Sequence, residues 1–301
     1  MGFSFGNLTA YTDELSLELI AKAVLTTDLM SEIDVRSGLS AGTVALNLMD
    51  GDALDSAFVD DLACGWNPAG SVNFSQVDIT IRDKQIKMQL CPEDLRQYWL
   101  SQRMAASAHA EEVPFEETIA NYYVERIKKY NENFLMNGDG TATGIKGQVT
   151  VANGANLQGG TPAAWDATNA LTQVLDLYDA IDESVKDRDD LIAIVSPAAY
   201  RALTRALVAA NLYHFSSVDG NEILEVPGTN LKVVKSAGLT NSSYACAGPA
   251  KFIVAGTGLE DDMSNMQFYF DKGEDIVKFI AKWRLGVAVH QVNVFATNGL
   301  A

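Results

Sequence analysis

Histidine, cysteine and clustered aspartate are the residue types in this 301-residue chain that could do chemistry, and their spacing tests them. His109, His214 and His290 stand apart, and none has a second histidine at the spacing a metal site uses. His109-Ala110-Glu111 matches the H-x-E half of a zinc deaminase motif, but the P-C-x-x-C half that supplies the other ligands is missing. His290 ends the polar face of a strand pattern and reads as a surface or partly satisfied side chain. Asp50, Asp52, Asp55, Asp60 and Asp61 offer carboxylates to a calcium ion. They depart from the D-x-[DN]-x-[DN]-G loop, so a solvated acidic loop is expected. Gly138, Gly140 and Gly144 do not fit G-x-G-x-x-G, and they close a helix where a dinucleotide site needs glycines to open one. No phosphate-loop pattern G-x-x-x-x-G-K-[ST] occurs. No catalytic residue, metal site or cofactor is therefore expected.

The element that positions the rest is the stretch 113–147. Phe115, Ile119, Tyr122, Ile127, Tyr130 and Phe134 recur at helical spacing, which gives one apolar stripe. Pro114 suits a first helical position, and Glu116 and Glu117 place negative charge at the positive end of the dipole. Lys128 and Lys129 lie toward the other end. The spacing predicts a helix from about 115 to 136, roughly 33 Å long at about 1.5 Å per residue. Asn121, Glu125 and Glu132 are expected on its surface. Gly138 supplies a left-handed cap. Together with Gly140 and Gly144 it reads as a tight turn needing positive φ, and Gly147 extends that turn.

Hydrophobic residues make up 48% of the chain and charged residues 20%, which excludes a disordered polyelectrolyte and allows one or two packed domains. The net charge of −17 argues against a surface that grips nucleic acid, because such a surface must neutralise phosphates. Cys64, Cys91 and Cys246 form no C-x-x-C pair and are odd in number, so reduced thiols are expected. The first residues lack a charged and apolar leader pattern, and no apolar run reaches the roughly 18 residues of a membrane span. The Asn-x-Ser/Thr triplets at Asn7, Asn73 and Asn241 then carry no glycosylation meaning.

In chain order, residues 1–11 read as an uncharged arm, followed by a helix near 12–25. A strand is expected at 43–49, and 50–76 is an irregular excursion whose Phe58, Trp66 and Phe74 have no local core. Val77, Ile79 and Ile81 alternate with polar residues, and then the apolar phase flips to Ile86, Met88 and Leu90, the signature of a bulge or bend. Residues 43–90 thus read as a two-stranded projecting ribbon that needs a neighbouring molecule to lie on. Phe58, Trp66, Phe74, Arg82, Lys84 and Lys87 are its candidate contact residues. A short helix is expected within 91–109, and 148–165 reads as a loop. Leu171, Val174, Tyr178, Ile181 and Val185 mark a helix, residues 191–195 a buried strand, and Ser196-Pro197 a capped helix start carrying Tyr200, Leu203 and Leu207. Strands at 231–234 and 251–255 would complete an α/β layer. Met266, Phe268 and Phe270 alternate. A long strand then puts Val277, Phe279, Ala281, Trp283, Leu285, Val287 and Val289 on one face, with the faces swapping to Val292 and Val294. It is expected to cover the helix stripe at Tyr122 and Tyr130.

A long amphipathic helix ending in Asn137-Gly138-Asp139-Gly140-Thr141-Ala142-Thr143-Gly144-Ile145-Lys146-Gly147 resembles the spine helix of tailed-phage major capsid proteins of the HK97-like fold. Leu8-Thr9-Ala10-Tyr11-Thr12-Asp13-Glu14-Leu15 and Leu90-Cys91-Pro92-Glu93-Asp94-Leu95 resemble one subgroup of them, and the match is strongest over 1–147. The resemblance implies an α+β fold: an N-terminal arm and helix (1–42), an E-loop ribbon (43–90), a P domain with the spine at 114–137 (91–150), an α/β A domain (151–258), and return strands of the P domain (259–301). It implies a shell protein that assembles with itself into hexamers and pentamers within a virion capsid, built in the bacterial host cytoplasm. Portal and scaffolding proteins, a decoration protein and enclosed double-stranded DNA are the implied partners, with no membrane. Some relatives form a Lys–Asn isopeptide across subunits. Lys84 and Lys87 in the ribbon and Asn293 and Asn298 near the end are of the right types, but nothing singles out a trio with a carboxylate. An encapsulin-like compartment protein and an α/β enzyme built around 166–258 stand as alternatives.

Overall fold

The computed structural model describes residues 29–50, 73–91, 115–212, 224–258, 266–274 and 276–300. The expected arm and first helix, Phe58, Trp66, Cys64, the aspartates at 52–61, the helix within 91–109, His109 and His214 lie outside them.

The strands are β1 (Asp34–Arg36), β2 (Gly42–Asp50), β3 (Asn73–Leu90), β4 (Asn156–Leu157), β5 (Leu191–Val195) and β6 (Leu224–Glu225), continuing with β7 (Lys232–Lys235), β8 (Cys246–Pro249), β9 (Ile253–Thr257), β10 (Met266–Asp271), β11 (Ile276–Val289) and β12 (Ala296–Thr297). The helices are α1 (Phe115–Asn137), α2 (Ile145–Gln148), α3 (Ala170–Ala180) and α4 (Pro197–Ala209). One six-stranded sheet runs β1-β9-β11-β3-β2, with β10 along β11, and a second runs β4-β12-β8-β5-β7-β6.

In the first sheet β11 behaves as its alternation requires. Val277, Phe279, Ala281, Trp283 and Leu285 are buried, and Phe279 stacks on Tyr123 of α1 with ring centroids 4.5 Å apart. The buried face of α1 is rotated from the expected stripe: Tyr123, Val124, Ile127, Asn131, Phe134 and Leu135 are covered, whereas Tyr122 and Tyr130 are 55% and 45% exposed. Adjacent aromatics sit about 100° apart on a helix, so a pattern containing Tyr122-Tyr123 fits two faces, and packing on Phe279 selects one. Glu132, expected on the surface, is buried because its carboxylate accepts the Ala237 backbone N–H at 2.7 Å.

The ribbon expected over 43–90 extends only from Gly42 to Ile81. β2 pairs with 73–81, from Gly42↔Ile81 to Asp50↔Asn73, while 82–90 pair with β11, from Leu285↔Arg82 to Val277↔Leu90. The phase flip inside β3 is therefore a change of partner, and no bulge interrupts either register. Ile79 and Ile81 lie on one face of the sheet in a small cluster with Leu46, Val254 and Ala288, whereas Ile86 packs toward the α1 side. Successive side chains of a strand point to opposite faces, so the apolar set switches when the covered face switches.

The second sheet carries α3 and α4. All of β5 is buried, and Ser196 caps α4 by accepting the Ala199 N–H at 3.2 Å, with Pro197 next. Of the two strands expected to complete this layer, only β7 does so. Residues 253–257 pair with β1 and β11 in the first sheet, and β8, β12 and β4 take their place. The chain after β11 does not continue as a strand. Gln291 adopts φ +43, residues 292–294 make a 3-10 turn, and β12 then enters the second sheet. One chain end thus joins both sheets.

Candidate functional site

The end of α1 gathers the residues singled out by sequence. The Gly138 N–H donates to the Phe134 carbonyl at 2.8 Å, and Gly138 and Gly140 take φ +74 and +83. Asp139 then closes the turn: its Oδ1 accepts the backbone N–H groups of Thr141 (3.1 Å) and Ala142 (2.8 Å). Gly144 has no positive φ. It sits at φ −77 as the cap of α2, and glycine is required because a Cβ there would strike the Met136 carbonyl. Gly147 likewise lies in α2, without positive φ.

Lys84 of β3 completes this turn. Its Nζ donates to Asp139 Oδ2 at 2.6 Å and lies 4.0 Å from the centre of the Phe134 ring. With 9% of the side chain exposed, Lys84 is a contact inside its own subunit, which corrects its place among the neighbour-contact candidates. A lysine opposite Trp283 on the helix-facing side of the sheet can be buried only if a carboxylate meets it, and Asp139 supplies one. The Ala142 N–H, and next Lys84, hold the Asp139 carboxyl well below the usual carboxylate range. Of the other candidates, Lys87 is exposed, Arg82 is half-buried with its Nε unpartnered, and the backbone of Phe74 pairs opposite Met49. Asn298 is buried, its amide bonded to Ser243 O and Ala245 N, so neither it nor Lys84 is free for an isopeptide.

Three polar contacts around this turn escape a one-dimensional reading. Trp283 Nε1 donates to Asn131 Oδ1 at 2.9 Å inside the core. Asn137 Nδ2 donates to Gly238 O at 2.7 Å, tying the helix end to the second sheet's connections. Gln148 bridges to β11, donating to Val287 O and accepting from Val289 N. Asparagine and glutamine look like solvent-facing residues in a pattern, and only the partner reveals otherwise.

Cys246 is fully buried, and burial pushes its thiol up to about 12, so it is unreactive. His290, expected near the surface, is buried, and burial lowers its pKa. The sequence does contain one G-x-S-x-G match, Gly38-Leu39-Ser40-Ala41-Gly42. It joins strand to strand instead of strand to helix and so forms no nucleophile elbow. Among the described residues no cluster of His, Cys, Asp and Glu could hold a metal ion, and no helix is long and apolar enough to cross a membrane.

No protein-family description and no curated protein matches the sequence. Solved structures do match in fold. The capsid of an empty GTA particle aligns with a TM-score of 0.53 at 16% identity, over 90% of this chain and 95% of that one. The procapsid of satellite phage P4 aligns at 0.57 and 12% identity, over 94% and 89%. A virus-like particle from Pyrococcus furiosus aligns at 0.52 and 13% identity, over 95% and 98%. The α+β architecture of this chain is the HK97-like fold.

Proposed function

We propose that this chain is the major capsid protein of a tailed double-stranded DNA phage, a structural protein that assembles with copies of itself into an icosahedral head shell. The observation that carries the reading is a shared fold over nearly the whole length of shell-forming chains. Residues 166–258 are a part of that fold, which argues against a free-standing enzyme. In this reading 43–81 is the E-loop, α1 the spine of the P domain, and the second sheet with α3 and α4 the A domain. The spine turn ties them: Lys84 from the ribbon's continuation, Asp139 from the spine and Gly238 from the second sheet's connections meet within one helix end. A rigid protomer lets many weak subunit contacts add through repetition. Hexamers and pentamers, a portal, a scaffolding protein and a decoration protein are the proposed partners. The enclosed DNA is lined by a chain of net charge −17 without being gripped.

A similar fold in an encapsulin complex from Synechococcus elongatus keeps a compartment shell as the second reading. The resemblances at residues 8–15 and 90–95 favour the phage. The test is negative-stain microscopy of the purified protein, expressed with its neighbouring genes, followed by nuclease-protected nucleic acid analysis. Uniform shells that protect double-stranded DNA support the proposal. Shells holding protein cargo would indicate the compartment, and small particles under all conditions would remove both readings.

A further inference from the structure

β3 changes partner in its middle, and the change leaves an edge open. Residues 73–81 pair with β2, whereas 82–90 pair with β11 alone, from Leu285↔Arg82 to Val277↔Leu90. Among the described residues no strand lies on the other edge of 82–90. That edge is nine residues long, against about five or six for an ordinary strand. Asp83, Gln85, Lys87, Met88 and Gln89 are exposed along it. Such an edge carries a row of unpaired N–H and C=O groups, a template for another strand.

The two faces beside the edge differ. On the α1 side stand Ile86, partly buried against the core, and Met88, 40% exposed. Tyr130 of α1 borders this face, edge-on to Trp283 and with its ring centre 5.9 Å from Lys84 Nζ. Lys84 itself is already met by Asp139. On the opposite face stand Asp83, Gln85, Lys87 and Gln89, with Asp83 bonded to Arg284. Natural edges are guarded by prolines, bulges and repelling charges. Residues 82–90 contain no proline, and their register with β11 is unbroken. They are also self-complementary. The antiparallel register that pairs all of 82–90 with a second copy is centred on Ile86. It sets Gln85 opposite Lys87 of the second copy and Asp83 opposite Gln89 of the second copy, so no like charges stand directly opposite. On the α1 side it sets the two Ile86 side chains together, with each Met88 diagonal to the other copy's Ile86.

We propose that residues 82–90 are a subunit interface, at which two copies of this chain join their β3 edges antiparallel about a two-fold axis and fuse their first sheets into one. Backbone hydrogen bonds along the edge supply the hold, and the Ile86 and Met88 side chains fix the register. A contact of this kind closes on itself, so it ends at two copies and leaves the growth of any shell to other surfaces. The pairing depends on the chain alone and stands whether or not the shell reading does.

Cysteine cross-linking of the full-length chain tests it, with Cys64→Ser and Cys91→Ser in the background and buried Cys246 left in place. Facing residues of an antiparallel pair have Cα atoms about 4.5–5.5 Å apart, within the range of about 4.4–6.8 Å that a disulfide spans. Gln85→Cys and Lys87→Cys are both at exposed positions, so neither disturbs the core. Co-expressed and mildly oxidised, the two variants should give a cross-linked dimer on a non-reducing gel. Either variant alone should lose that dimer, because like positions are then diagonal at about 7–8 Å. A mixture that yields no cross-link overturns the proposal, and so does equal cross-linking of the mixture and of each variant alone. Shells without the cross-link would remove this interface and keep the shell reading, whereas the specific cross-link without shells would keep the interface and count against the shell.

Discussion

Lys84 and Asp139 lie 55 residues apart in sequence, and their side chains meet at 2.6 Å over the face of Phe134. The contact joins β3 to the turn that ends α1. Lys84→Met removes the cation and leaves the exposed Asp139 carboxylate with its two backbone N–H donors alone. The expected loss is about 1–3 kcal/mol of unfolding free energy. Asp139→Asn should cost more, because the remaining oxygen still accepts from Thr141 and Ala142 but the buried Lys84 cation is left facing an amide NH2 in place of its carboxylate. Denaturant titration measures both, and a neutral Lys84→Met would mean that the pair does not hold the turn.

The same carboxylate gives a pH dependence. Its folded pKa is lowered, so its contribution is complete above the unfolded value of about 3.9 and is lost as pH falls through and below it. Asp139→Asn lacks this contribution at all pH values. Its stability should therefore fall less steeply than the native one below about pH 4, and the two curves should converge in acid. Parallel curves would show that Asp139 does not titrate differently on folding.

Gly138 and Gly140 share positive φ but differ in surroundings. A Cβ on Gly138 would strike the Ala142 carbonyl, whereas one on Gly140 meets open space. Gly140→Ala should cost about 1–2 kcal/mol, the ordinary left-handed penalty. Gly138→Ala should cost about 3 kcal/mol or more, since the turn itself must move. Thermal unfolding of both variants decides it, and equal losses would contradict the crowding.

Trp283 and Asn131 should behave as a coupled pair. Trp283→Phe leaves Asn131, whose Nδ2 is already unpartnered, with no bond at either amide atom. The expected loss is about 2–3 kcal/mol. Adding Asn131→Leu should recover about 1 kcal/mol or more of it, because both partners of the buried bond are then gone. A double mutant that is simply additive would mean that the bond has no separate value.

Replacing residues 51–72 with a short Gly-Ser linker leaves every β2–β3 pair in place. Linker length costs little, so a cooperative thermal transition should remain. Shell formation should fail, with sedimentation showing monomers or loose capsomers, because each lost subunit contact is lost at every copy. Normal shells would make the excursion dispensable. A missing transition would place it in the core.

Elements whose cause is local were legible in the sequence. The helical period and the Gly138 stop mark α1, Ser196-Pro197 opens α4, and the period of two in 277–285 marks β11, because periodicity, capping and proline geometry act within a few residues. Composition alone also argued against a nucleic-acid-gripping surface, since net charge is a sum over the chain. Which of Tyr122 and Tyr123 faces inward was decided by Phe279, some 150 residues away. The flip inside β3 was decided by which strand it pairs with, and β9 joined the first sheet because β1 and β11 flank it. The fates of Lys84, Glu132 and His290 were likewise set by distant partners or burial, through Asp139, Ala237 and the covered end of β11 beside Phe252. A polar side chain reads as exposed until its partner is known, because burial becomes affordable only when a hydrogen bond or opposite charge meets it, and that meeting is a property of the folded chain.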